Sequence, residues 1–91
     1  MLEKDIVNAI LKVLRIRGYW AEKIHGGPYQ RMGTPDIIAC SPQGQFIGIE
    51  VKRPGKEPTP VQLRVIAEIR EAGGIAFVAT SVEDVRKELE F

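Results

Sequence analysis

Residues 46–52, Phe-Ile-Gly-Ile-Glu-Val-Lys, alternate with period two, and a helix and then another strand follow them. Ile47, Ile49 and Val51 fall on one face of this strand, and Phe46, Gly48, Glu50 and Lys52 on the other. After the polar, proline-broken segment Arg53–Pro58, Thr59 reads as a helix N-cap. Pro60 takes the first helical position, and Gln62 stands where a capping box places Glu or Gln. The helix carries the stripe Val61, Val65, Ile66, Ile69 and Ala72, and Gly73-Gly74 ends it before the apolar run Ile75–Thr80. Strand, helix and strand in this order form a βαβ crossover, which makes the two strands parallel.

The rest of the chain adds to that unit. From Leu2 to Arg17, Leu2, Ile6, Val7, Ile10, Val13 and Leu14 gather on one side of a helix that Gly18 stops. Glu3 interrupts this stripe, one turn before Val7. Tyr19–Ile24 reads as a strand, and His25–Pro35 as a glycine-rich loop long enough to suggest a functional role. Asp36–Cys40 pairs with residues 46–52 as a hairpin around the turn Ser41–Gln45. Ser81 caps a last helix, Val82 to Leu89. The order α-β-β-β-α-β-α predicts an α/β sandwich with a mixed four-stranded sheet, expected as one domain over residues 1–91.

Composition narrows the function. The net charge of +1 excludes a polybasic protein, and one cysteine with one histidine excludes an internal disulfide and a Cys/His zinc cluster. Cys40 is expected as a small core residue. The acids of Met1-Leu2-Glu3-Lys4-Asp5 stand where a secretory signal has cations, and no run approaches the roughly 20 apolar residues of a membrane span. A protein of the cytoplasm, with no membrane partner, is the expectation.

Asp36, Glu50 and Lys52 stand where stability alone would not place them. In a short hairpin the start of one strand lies beside the end of the other, so Asp36 is expected beside Glu50 and Lys52. Two converging carboxylates suit Mg²⁺, which takes one or two protein carboxylates and keeps several waters. A neighbouring lysine offsets charge growing on a phosphate, or orients and deprotonates a water. Such a set meets the needs of phosphodiester hydrolysis.

Gly33-Thr34-Pro35-Asp36, a hairpin, and Gly48-Ile49-Glu50-Val51-Lys52 together resemble the PD-(D/E)xK nuclease superfamily, and within it the virus-type replication-repair nuclease (VRR-NUC) domain. The resemblance covers nearly the whole chain and implies a restriction-endonuclease-like fold. It also implies that Asp36, Glu50 and the backbone carbonyl of Val51 bind Mg²⁺, with Mn²⁺ as a substitute, and that Lys52 is the catalytic lysine. Glu3 matches the family's first-helix acid, which completes the metal site directly or through water. Gln62 matches a supporting glutamine. Stand-alone members resemble dimeric Holliday-junction resolvases, and the resemblance suggests a bacterial or phage-infected cell.

A local basic face agrees with a DNA substrate. Lys12, Arg15, Arg17, Lys23 and Arg31 meet only Glu22 between residues 12 and 31. Arg31 before Asp36, and Arg53 and Lys56 after Lys52, flank the expected site, where phosphate contacts are sequence-blind. His25 is a candidate phosphate or loop contact, and Tyr29 a candidate for stacking on an unpaired base. No base-reading helix is evident, so DNA shape is the expected determinant. The expected function is a structure-specific endodeoxyribonuclease, with a four-way junction as substrate and a homodimer as the active form. Ile16 and Leu63, off the helix stripes, are candidates for the dimer contact. The alternatives are a less discriminating flap, nick or duplex nuclease and a non-catalytic module that binds DNA structures.

Overall fold

The computed structural model describes all of residues 1–91. Its elements are α1 (Glu3–Ile16), β1 (Trp20–Lys23), β2 (Ile37–Cys40), β3 (Phe46–Val51), α2 (Pro60–Glu71), β4 (Ile75–Ala79) and α3 (Val82–Leu89). This is the predicted order, with most boundaries moved inward by a residue or two. The sheet runs β1-β2-β3-β4, with the first two pairings antiparallel and β3–β4 parallel.

Strand periodicity sorts the side chains into two layers. Ile37 and Ala39 of β2, Ile47, Ile49 and Val51 of β3, and Phe77 and Ala79 of β4 join Ile6, Val7, Ile10, Leu11 and Leu14 of α1 and Val85 of α3 in one core. The helix stripe differs in detail from the expected one. Leu11 is buried, Val13 is half-buried and Leu2 is exposed, because Leu2 precedes the first helical turn. Glu3 is also exposed, clear of the core. On the opposite face α2 packs against β3 and β4 through Val65 and Ile66. Cys40 belongs to that second face and is half-buried, so it is not the core residue expected from sequence. Its neighbours in the register, Ala39 and Phe46, show why: Ala39 takes the buried side of β2, and Cys40 the other.

Two glycines let the segment before Asp36 settle against the sheet and α2. Gly33 has φ +83°, and a Cβ there would stand 2.8 Å from Val61 Cγ1, the Val61 carbonyl oxygen and Val65 Cγ2. Gly48 lies under Pro35, whose Cγ would be 3.0 Å from an added Cβ. The ion pair Arg31–Glu68, at 2.6 Å, and the hydrogen bond Thr34 Oγ1 donates to the Arg31 carbonyl, at 2.7 Å, tie the same segment down.

Gly33→Ala combines a left-handed backbone with a backbone collision that no rotamer relieves. It should destabilise the fold by about 1–3 kcal/mol, roughly 4–8 °C in Tm for each kcal/mol in a domain of this size. A thermal melt followed by circular dichroism measures it. An unchanged Tm would mean that α2 does not hold this segment as described.

Candidate active site

The register brings the predicted acids together. Ile37 faces Ile49 and Ile38 faces Gly48 across the β2–β3 pair. One step back along β2 and one forward along β3, Asp36 stands opposite Glu50. Both residues have the parity of Ile38 and Gly48, so both side chains are on the α2 face.

Each carboxylate has one oxygen engaged. The backbone N–H of Val51 donates to Asp36 Oδ2 at 2.8 Å. Gln62 Nε2 donates to Glu50 Oε1 at 3.0 Å. Gln62 also completes the capping box, with its Oε1 accepting from Thr59 N at 2.9 Å and its N–H donating to Thr59 Oγ1 at 3.2 Å. The helix cap and the support of Glu50 are therefore one hydrogen-bonded unit. Glu50 itself is only 3 % exposed, and its Oε2 is buried and accepts no hydrogen bond.

A buried carboxylate beside another carboxylate resists ionisation. Burial is the main reason that the Glu50 carboxyl is pushed up to about 8. The hydrogen bond that its protonated form shares with Asp36, the charge of Asp36 and, less strongly, that of Glu3 act in the same direction. The Lys52 ammonium opposes them. A divalent cation would relieve this arrangement directly, since it supplies the positive charge and the ligand contact that Glu50 Oε2 lacks. Two carboxylates match the oxygen donors that Mg²⁺ prefers.

The remaining sequence candidates fall in different places. Lys52 follows the end of β3, half-buried, and its N–H donates to the Ala79 carbonyl at 3.0 Å. Glu3 is exposed in the first turn of α1, and no three His, Cys, Asp or Glu side chains form a cluster able to hold a metal ion. Asp36 and Glu50 are thus the pair that the fold assembles, with Glu3 contributing to the field around it. Arg53 and Lys56 are exposed on the turn after β3, where Lys56 N donates to the Arg53 carbonyl at 3.0 Å. His25 and Tyr29 are exposed on the loop before β2. Arg31 is also exposed, but its charge is matched by Glu68 of α2, a partner 37 residues away that sequence spacing does not reveal.

One residue near the acids escaped the sequence reading. Lys23 ends β1 opposite Ile37, and its Nζ is 4.0 Å from Asp36 Oδ1 while donating to the Ile24 carbonyl at 3.0 Å. Only the pairing of an edge strand places it there. Its sole sequence signal was membership of the basic stretch from residue 12 to 31.

Because the folded state holds the Glu50 proton up to about pH 8 while an unfolded chain releases it near 4.5, the folded form binds more protons between these limits. Stability of the metal-free protein should therefore fall as pH rises through this window. Glu50→Gln should flatten that fall and melt higher than wild type at pH 8 in EDTA, by about 4 °C or more. Parallel Tm–pH curves for the two proteins would contradict the burial of an ionisable Glu50.

The relationship to known proteins follows the same geometry. A phage protein named "Putative nuclease p44", from Acyrthosiphon pisum secondary endosymbiont phage 1, is 35 % identical over 80 residues, covering 88 % of this chain and 80 % of the relative. A solved structure described as a VRR-NUC domain superposes with a TM-score of 0.82 at 28 % identity, over 97 % of this chain and 94 % of that one. The Holliday junction resolvase Hjc of Archaeoglobus fulgidus shares the fold, with a TM-score of 0.65 at 22 % identity over 84 % of this chain and 65 % of Hjc. These matches establish the restriction-endonuclease-like architecture. The VRR-NUC domain model matches residues 7–83, a span that includes Asp36, Glu50, Lys52 and Gln62, and the chain belongs to the VRR-NUC domain family.

Proposed function

We propose that this nuclease-family chain is a divalent-metal-dependent, structure-specific endodeoxyribonuclease that cuts four-way DNA junctions as a homodimer in a bacterial or phage-infected cell. The observation that carries the reading is the buried Oε2 of Glu50, which accepts no hydrogen bond, on the same sheet face as Asp36. A stability-driven site would pair or solvate that oxygen.

Asp36, Glu50 and the Val51 carbonyl are the residues that would hold Mg²⁺ or Mn²⁺, with Glu3 completing the site directly or through water. When bound, that cation would supply Lewis-acid polarisation of the scissile phosphate and a more acidic water. The protein's own groups do the rest. The Val51 N–H and the Gln62 amide fix one oxygen of each carboxylate, so that the other is presented without side-chain search. Lys52 sets its ammonium against the charge that grows on the phosphate, or orients the attacking water. Arg53 and Lys56 meet the backbone on one side of the cut, and His25, Tyr29 and the Arg31 segment approach from the other. Such contacts grip phosphates in any sequence, which leaves selection to DNA shape.

The junction preference draws support from the fold shared with Hjc, and the dimer from the two-fold symmetry of the substrate. Ile16 and Leu63 are 73 % and 50 % exposed, on helices that cover opposite faces of the sheet. One continuous dimer contact would therefore favour one of them over the other.

Cleavage of labelled four-way junctions, flaps, nicked and linear duplexes, with the mass of the active species measured alongside, tests the reading. Junction cutting should require Mg²⁺ or Mn²⁺, vanish in EDTA, and fall by about 10³-fold or more in Asp36→Asn and Lys52→Ala. Wild-type rates in both variants would overturn it. Equal cutting of all substrates would replace it with a less discriminating nuclease, and junction binding without cutting in any divalent metal with a binding module.

A further inference from the structure

Lys52 is the cation that the E-x-K spacing points to, but it makes no ion pair within 4 Å with either acid, whereas Lys23 reaches Asp36. The two lysines come from different strands, Lys23 from the edge strand β1 and Lys52 from the end of β3, and they flank the acid pair from different directions. Asp36 Oδ2 is occupied by the Val51 N–H, so Oδ1 is the oxygen left for another partner. Lys23 Nζ lies 4.0 Å from that oxygen. The Lys23 and Asp36 side chains are 35 % and 21 % exposed, so their attraction is only partly screened. The pairing is also anchored in the backbone: Ile24 N donates to the Asp36 carbonyl at 2.8 Å, which extends the β1–β2 ladder one step beyond Lys23 and fixes where the lysine begins. Its ammonium keeps a second hold on the Ile24 carbonyl, leaving other donors free.

From this geometry we infer that Lys23 is a second active-site cation. It steadies Asp36 Oδ1 when no divalent ion is bound, and when one takes that oxygen its ammonium turns toward the substrate phosphate. The role is electrostatic, and no proton moves to or from Lys23. Before loading, the lysine is the positive neighbour of Asp36 on the β1 side. After loading, it adds to Lys52 a second positive charge at the place where a phosphodiester gains negative charge on the way to its transition state. The two stages have opposite consequences for metal affinity and for rate. A cation beside Oδ1 repels a divalent ion, so Lys23 should weaken metal binding while it speeds cleavage.

This inference rests on the nuclease reading for its second half only. The test is Lys23→Met, with Lys23→Gln as a second neutral variant and Lys23→Arg as the charge-preserving one. Mn²⁺ affinity by calorimetry on the protein without DNA, and kcat and KM on a junction substrate, are read together. In both neutral variants Mn²⁺ should bind about threefold tighter or more, while kcat falls about 10- to 100-fold. Lys23→Arg should keep Mn²⁺ affinity near wild type and recover most of kcat. A variant that was merely damaged would bind Mn²⁺ more weakly and cut more slowly, which is the opposite split. Unchanged or weaker Mn²⁺ binding in both neutral variants, or wild-type kcat in them, would overturn the inference. If wild-type protein cuts no DNA in any metal, the nuclease reading and the phosphate role fall together. The Mn²⁺ titration then still decides whether Lys23 competes for Asp36.

Discussion

Two carboxyl groups held side by side on one sheet face, one of them buried with an oxygen that accepts no hydrogen bond, set the terms for the rest of this structure. A side chain as polar as Glu50 is rarely almost fully buried without compensation. Here compensation is deliberate and incomplete: Gln62 binds one oxygen and leaves the other. Burial and the neighbouring charge of Asp36 keep a proton on Glu50 at neutral pH when no cation is present. The same features that make the site unfavourable as a bare structure are the ones that a hard divalent ion would relieve.

The surrounding fold serves that arrangement from several directions. β3 is central, flanked by β2 and β4, so its backbone is paired on both sides and Glu50 cannot drift from its register. Gln62, which completes the capping box of α2 with Thr59, also holds Glu50, and this couples the start of the helix to the buried carboxyl of the strand beneath it. Gly33 and Gly48 give up their side chains so that the Pro35 segment can lie flat between sheet and helix. Glycine costs stability elsewhere in a fold. At these two positions a Cβ would crowd Val61 and Val65, or Pro35 and Ile69.

Much of this was legible in the chain. Period-two alternation in residues 46–52 and the Thr59-Pro60-x-Gln62 helix start are local signals, and they appear in the structure at the predicted places. The hairpin follows from turn chemistry around Ser41–Gln45, and with it the proximity of Asp36 to Glu50. Local periodicity was less reliable at element ends. It counted Leu2 in the first helix stripe and Cys40 in the core, because a pattern of spacing cannot tell where a helix begins or which face of an edge-side strand is covered. Lys23 and the Arg31–Glu68 pair were out of reach for another reason: both depend on contacts between segments that no short motif links.

The amino-acid sequence by itself determined the element order, the parallel crossover, and the identity of the acids and lysine that share a strand or a hairpin. These depend on interactions within about a dozen residues, where backbone preference and hydrophobic spacing act directly. The tertiary structure alone decided which oxygens remain free, which carboxyl is buried, and which lysine reaches Asp36. Those outcomes depend on how completely neighbouring layers exclude water and where an edge strand stops, and both are properties of the packed whole.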